Sequence, residues 1–154
     1  MGTRRKGREL ALKIIYSLFD QNTSIDAVLE DFWRNFHFQD DILGDPVEGP
    51  PDSVPSEQRH FTEELIYGVD KHLEQIDKVI SSHSTNWSLD RMSRVDLSLL
   101  RLAVYELLYR PDIPSNVVIN EAIEIGKRYG TVETPSFING ILDKISRENR
   151  HVVS

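Results

Sequence analysis

The fold is constrained most by residues 94–110, RVDLSLLRLAVYELLYR, whose apolar side chains surround a helix instead of lining one side of it. A helix that is apolar on most sides has to be covered on most sides, so this segment predicts a buried central helix. Ser93, with Asp96 three residues later, is typical of a helix start. The PDIP that follows ends the helix, because proline cannot continue its hydrogen-bond ladder.

Helical spacing of apolar residues continues through most of the chain. It predicts helices over residues 4–21, 22–36, 57–83, 115–130 and 136–150, with a short helical turn from Ser88. The expected caps are Thr23 or Ser24, Ser56 and Thr134 at helix N-termini and Gly130 at a C-terminus. No segment shows a convincing strand pattern or an internal repeat. We therefore predict an all-α fold, with about seven helices in one compact bundle and a single domain, 1–154.

Residues 38–56 interrupt this pattern. They contain four prolines and several acidic residues, and no lysine or arginine. Such a segment cannot bury much apolar surface, so we predict a flexible acidic loop inside the single domain.

Charge is distributed unevenly along the chain. The whole chain has a formal net charge of −7, yet residues 1–19 carry +4 and the remainder −11. This asymmetry is typical of a polyanion-binding arm on an acidic body, and a solvated, disordered start is the alternative. On a helical wheel, Leu10, Ala11, Ile14 and Leu18 share one face, and the opposite face holds Arg5, Arg8, Glu9, Leu12, Tyr16 and Phe19. Because Leu12 and Phe19 are apolar, we expect part of that second face to be packed.

Catalytic patterns are missing from the sequence. With no cysteine, disulfides and thiolate chemistry are excluded, and the five histidines do not have metal-ligand spacing. There is no P-loop, GxGxxG or GxSxG motif, and we read the GxxxG of Gly126 and Gly130 as uninformative outside a membrane. No apolar run approaches the ~18 residues of a membrane-spanning helix. We predict a cytoplasmic protein that is not an enzyme and holds no metal or cofactor.

Two stretches go beyond composition: RRKGRELALKIIYSLF near the start, and residues 96–145 with the segments DIP, INEAIEI and FINGILDKI. In this order they resemble the NusB family of bacterial transcription antitermination factors, as does FTEELIYGVDKHLEQID in the middle of the chain. The resemblance omits residues 38–56. It implies an all-helical, non-catalytic protein that binds boxA RNA of nascent transcripts, above all those of ribosomal RNA operons, together with ribosomal protein NusE. The pair would join an elongating RNA polymerase with other Nus factors and promote processive elongation.

The chemistry of RNA binding selects candidate residues, because cations hold phosphates and flat side chains stack on bases. The opening helix offers Arg4, Arg5, Lys6 and Arg8 for phosphates and Tyr16 for stacking. By the resemblance, Phe137 lies at the RNA surface, with Lys127 and Arg128 nearby in sequence, while Glu63, Tyr67 and Glu74 face NusE. The amides of the turn TVETPS are candidates for a phosphate site, which Glu133 would oppose.

Several alternatives stay open at this point. Tyr16 and Phe137 would equally suit ordinary packing positions. A NusB-like domain also precedes some ribosomal-RNA cytosine methyltransferases, and a chain ending at Ser154 favours the stand-alone factor. The competing functions are a helical protein–protein adaptor without intrinsic RNA binding, and a catalytic helical protein, which would need a metal or a polar pocket.

Overall fold

The structure, a computed structural model, describes residues 3–18, 24–35, 55–85 and 87–150. All regular elements within these ranges are helical, as predicted. The helices are α1 (Thr3–Leu18), α2 (Ile25–Asn35), α3 (Ser56–Lys71), α4 (Leu73–Ser82), α5 (Arg94–Tyr109), α6 (Ser115–Tyr129) and α7 (Thr134–Asn149), with a short 3₁₀ helix at Leu89–Arg91. Thr23, Phe19 and nearly all of the predicted acidic loop lie outside the described residues.

The chain divides into two compact units, residues 1–70 and residues 71–154, and each is described by itself. The single domain expected from the sequence stays a prediction.

In residues 1–70, the burial of α1 is not confined to its predicted apolar face. Leu12, on the face opposite the predicted core, is 0% exposed, which confirms that part of this face is packed. Gly7 lets α1 approach α3, since a Cβ atom there would lie 2.8 Å from Phe61 Cδ2. The Thr62 hydroxyl donates to the Gly7 carbonyl at 3.0 Å across the same contact. At the start of α2, the Ser24 hydroxyl accepts from the Ala27 amide at 3.2 Å, as a cap should.

In residues 71–154, α5 packs against α4, α6 and α7, which confirms the predicted central helix for this unit. Ten of its residues, from Leu97 to Leu107, are buried. The predicted cap is also present, because the Ser93 hydroxyl accepts from the Asp96 amide at 3.0 Å. A bidentate pair joins α5 to α4, with Arg101 donating to both carboxylate oxygens of Asp77 at 2.9 Å.

The predicted helix over 57–83 is two helices, separated at His72. The imidazole of His72 stacks on the ring of Tyr109 in α5, with 3.8 Å between centroids and 15° between planes. The apolar spacing runs through the break unchanged, so periodicity alone could not reveal it.

The GxxxG of α6 has a packing role that the sequence analysis discounted. A Cβ atom on Gly126 would lie 3.0 Å from Thr134 Cγ2, and one on Gly130 would lie 2.3 Å from Thr134 Oγ1. Gly130 follows α6 as predicted, but its φ of −95° is accessible to any residue, so the close approach of Thr134 is what requires glycine. Thr134 is the first residue of α7 and not its cap. Its hydroxyl donates to Asp96 Oδ1 at 2.7 Å and accepts from the Thr131 amide at 3.0 Å.

Arg150 ends α7 and caps α5. Its guanidinium donates to the carbonyl oxygens of Glu106, Leu107 and Arg110 at 2.7–2.9 Å and to that of Ile113 at 2.5 Å. The last carbonyls of a helix have no partner within the helix, so a cation that binds several of them stabilises the helix end. Burial lowers the pKa of this guanidinium below its ordinary value.

Candidate nucleic-acid interface

The four cations predicted at the start of α1 differ in exposure. Arg4 and Lys6 are exposed, Arg5 is half-buried, and Arg8 is 4% exposed. Lys6 Nζ lies 3.9 Å from a carboxylate oxygen of Glu9, a pairing loose enough to leave the ammonium accessible. Two of the four side chains are therefore well placed for phosphates in this conformation, and Arg8 is not.

Arg8 is buried in part because it shares an aromatic ring with Arg4. The two guanidinium carbons each lie 5.4 Å from the centroid of Phe61, which is itself buried in α3. Residues four apart lie on one face of a helix, so a single ring can serve both arginines. Cation–π contacts of this kind hold Arg4 in place while its charge stays at the surface.

Tyr16 lies half-buried farther along α1. At 1.5 Å per residue its Cα is about 16 Å from that of Arg5 along the helix axis. A base on Tyr16 and a phosphate on Arg4 or Lys6 would thus belong to different nucleotides.

At the end of α6, Lys127 and Arg128 are both exposed. Lys127 Nζ lies 2.9 Å from Glu124 Oε2, and the Arg128 guanidinium lies over the Tyr129 ring at 5.2 Å. Exposed i, i+3 pairs are weak, so Lys127 can exchange this carboxylate for a phosphate.

Phe137 is half-buried in the first turns of α7, in contact with an indole that sequence reasoning missed. The rings of Phe137 and Trp87 are nearly perpendicular, with 5.9 Å between centroids and 76° between planes. Trp87 is 46% exposed, and the Arg91 guanidinium lies 5.7 Å from its ring centroid. The available signal was a tryptophan outside every predicted helix, where no apolar stripe could account for it.

Three amides of the turn before α7 are hydrogen-bonded within the turn. The Thr131 amide donates to the Thr134 hydroxyl, the Glu133 amide to the Thr131 hydroxyl at 3.2 Å, and the Thr134 amide to the Thr131 carbonyl at 3.1 Å. Glu133 is exposed at the helix start, where its carboxylate repels phosphate. These three amides are used within the turn, and the phosphate site suggested for the segment TVETPS stays a prediction.

The predicted partner residues lie in both units. Glu63 of α3 accepts from the Trp33 indole at 2.8 Å, and the Tyr67 hydroxyl donates to Asp26 of α2. That hydrogen bond, ahead of burial, raises the pKa of Tyr67 to about 12. Glu63 and Tyr67 thus hold α2 against α3 while Tyr67 stays exposed, and Glu74 is exposed on α4. Their role toward a partner stays a prediction.

Each unit brings together a subset of the predicted RNA residues. Arg4, Arg5, Lys6, Arg8 and Tyr16 share α1 in residues 1–70, whereas Lys127, Arg128 and Phe137 belong to residues 71–154. Among the described residues, no group of three or more histidines, cysteines or acids is placed to hold a metal ion. Over the same residues, no helix combines the length and apolar character that crossing a membrane requires.

The chain is similar in sequence and in structure to proteins of one known family. The sequence model of the NusB family matches residues 5–147. The transcription antitermination protein NusB of Syntrophotalea carbinolica is 60% identical over 153 residues, which is 99% of this chain and 97% of that protein. T. maritima NusB is similar in structure, with a TM-score of 0.77 and 35% identity over 98% of this chain and 96% of that one. The fold also matches a crystal structure of antitermination factors NusB and NusE in complex with dsRNA, with a TM-score of 0.76 and 20% identity over 95% and 97%.

Proposed function

The chain belongs to the NusB family, and on that premise we propose that it is a transcription antitermination factor that binds boxA RNA together with ribosomal protein NusE. The observation that carries the proposal is the 60% identity, over nearly the whole of both chains, with a transcription antitermination protein NusB. Bound to boxA of a nascent ribosomal RNA transcript, the pair joins RNA polymerase and the other Nus factors and keeps elongation processive. The fold shared with a NusB solved in complex with NusE and dsRNA supports this pair of partners.

The residues divide by chemistry within this proposal. Arg4 and Lys6, exposed at the start of α1, bind RNA phosphates, and Arg5 assists them. Arg8 is a positioning residue, since it packs on Phe61 beside Arg4.

Stacking and the remaining phosphate contacts complete the RNA site. Tyr16 and Phe137 stack on bases, and Lys127 and Arg128 contact phosphates near the start of α7. Glu63, Tyr67 and Glu74 face NusE. The protein works in the cytoplasm on nascent transcripts, with no catalytic step and no cofactor.

The alternative function, a protein–protein adaptor without intrinsic RNA binding, is supported by the acidic side chains that lie beside the cations. Lys6 lies near Glu9 and Lys127 near Glu124, so part of the positive charge is compensated within the protein. An adaptor would bind NusE without adding affinity for RNA.

A mobility-shift titration separates these functions. The full chain is titrated with boxA RNA, with and without NusE, against an RNA of equal length and composition in scrambled order. We expect binding to boxA that NusE strengthens and weaker binding to the scrambled RNA. Binding to NusE with no gain in boxA affinity would establish the adaptor.

A further inference from the structure

We propose that Trp87, Phe137 and Arg91 form a platform for one unpaired base of single-stranded RNA, with the Trp87 indole as its main stacking surface. We call these three residues the Trp87 platform. The inference rests on the proposed RNA-binding function and assigns to it two residues, Trp87 and Arg91, that neither the sequence motifs nor the family resemblance selected.

Trp87 is far more exposed than the other tryptophan of the chain. The chain has two tryptophans, and Trp33 shows the usual arrangement, 3% exposed with its indole nitrogen bonded to Glu63. Trp87 is 46% exposed. Burial of a large aromatic ring is favourable, so an indole left half in water beside another ring gains free energy if a further molecule covers it.

The position of Trp87 is fixed by hydrogen bonds of its backbone. Its backbone amide donates to the Ser84 carbonyl at 3.1 Å, and its carbonyl accepts from the Ser84 hydroxyl at 3.0 Å. Ser84 is buried, and its hydroxyl oxygen also lies 2.9 Å from the Ile80 carbonyl oxygen at the end of α4, so its one hydrogen is shared between the two carbonyls. The indole is therefore presented from an anchored turn, which lowers the entropy cost of binding a ligand.

Trp87 combines a suitable ring geometry with a neighbouring positive charge. The perpendicular contact with Phe137 sets the angle of the indole, and the Arg91 guanidinium 5.7 Å from the indole centroid supplies a cation beside it. A stacked base brings a phosphate with it, and an arginine next to the ring can neutralise that phosphate.

The neighbouring acids define the ligand. Asp90 precedes Arg91 in the 3₁₀ helix, and Glu133 lies one turn before Phe137 on α7; both are exposed. Carboxylates repel a bare phosphate, but they do not oppose the uncharged face of a base. The platform therefore suits an unpaired nucleobase, with little preference among the four, since every base has a π-face.

The test is a titration of the full chain with single-stranded boxA RNA, with Trp87→Ala, Trp87→Leu and Trp87→Phe compared against wild type. Stacking on an exposed aromatic contributes enough affinity that Trp87→Ala and Trp87→Leu should weaken binding by about 5- to 100-fold. Trp87→Phe keeps a π-face and should lose much less. Indole emission should be quenched in the wild type on saturation with RNA and unchanged in Trp87→Phe, whose remaining tryptophan is Trp33. Thermal unfolding of each variant identifies loss of the fold, and the wild-type quenching tests the platform even where a variant does not fold.

The outcomes separate the two proposals. Wild-type affinity in folded Trp87→Ala, or no quenching of wild-type emission by bound RNA, overturns the platform and leaves the RNA-binding function intact. Quenching by NusE alone, with none by RNA, also overturns it, because the surface then belongs to a protein contact. Failure of the wild type to bind boxA RNA, with or without NusE, overturns both.

Discussion

Residues 1–70 and residues 71–154 differ in the exposure of their tryptophans and of several arginines and lysines. In the first unit the aromatic rings Trp33 and Phe61 are buried, and the cations Arg4 and Lys6 are exposed. In the second unit the ring of Trp87 is exposed, whereas Arg101 and Arg150 bind groups on other helices. The exposed cations Arg4 and Lys6 and the exposed ring of Trp87 thus lie in different units, so variants of these residues should impair phosphate binding and base stacking separately.

The largest expected effect is a loss of stability on substitution of Arg150, an arginine of the second unit. Arg150→Ala removes the side-chain donor to the carbonyl oxygens of Glu106, Leu107 and Arg110 at the end of α5 and to that of Ile113 in the turn that follows, and should lower the free energy of unfolding by about 3 kcal/mol. Arg4→Ala removes an exposed cation and should change it by less than about 0.5 kcal/mol. Urea unfolding of both variants measures the difference, and equal losses would show that the two arginines do not differ in role.

The next largest expected loss of stability follows substitution of Gly130. Gly130→Ala places a Cβ atom 2.3 Å from the hydroxyl of Thr134, which is buried and bonded to Asp96, so it should cost about 2 kcal/mol. Gly140→Ala is the matched control in α7, because a Cβ atom there meets nothing within 4 Å. It should stabilise the protein by about 0.5–1 kcal/mol through helix propensity. Thermal unfolding checks both signs, and a tolerated Gly130→Ala would mean that α6 and α7 separate easily.

The smallest expected effect is on the ionisation of Tyr67, and it tests the hydrogen bond to Asp26 in the first unit. The hydrogen bond to Asp26 raises the pKa of Tyr67 from 10.0 to about 12. The folded pKa lies above the unfolded one, so the stability this bond contributes is complete below pH 10 and is lost as the pH rises through 12. Asp26→Asn should return the midpoint toward 10. The tyrosinate absorbance of wild type minus that of Tyr67→Phe isolates this phenol, and a wild-type midpoint near 10 would contradict the bond.

The sequence predicts those parts of the fold that depend on residues close to one another along the chain. The apolar surroundings of 94–110 identified α5 as central, and Ser93 with Asp96 marked its start. Arg150 could not be assigned this way, since its partners lie 37 to 44 residues earlier in the chain. The GxxxG of α6 was misread for the same reason, because its meaning depends on Thr134 of another helix.

The candidate site shows the same limit. The charge of α1 was visible in the sequence, but the burial of Arg8 depends on Phe61, whose position on α3 only the fold supplies. Trp87 could be identified in the sequence as a tryptophan outside every predicted helix, but its contact with Phe137 could not be predicted.

In this account Arg4 and Lys6 of α1 bind RNA phosphates, whereas Phe137 of α7 stacks on a base. The salt dependence of boxA affinity tests it most directly, because each phosphate contact in single-stranded RNA contributes ~0.7 to the slope of log affinity against log salt. Lys71→Ala/Lys78→Ala, which removes two exposed cations outside α1, is the matched control and should keep the wild-type slope.

The variants to compare are Arg4→Ala/Lys6→Ala and Phe137→Leu. We expect the α1 variant to flatten the slope by about 1.4, and Phe137→Leu to weaken binding at every salt concentration with the slope unchanged. An unchanged slope in Arg4→Ala/Lys6→Ala, or a flattened slope in Phe137→Leu, would contradict the account.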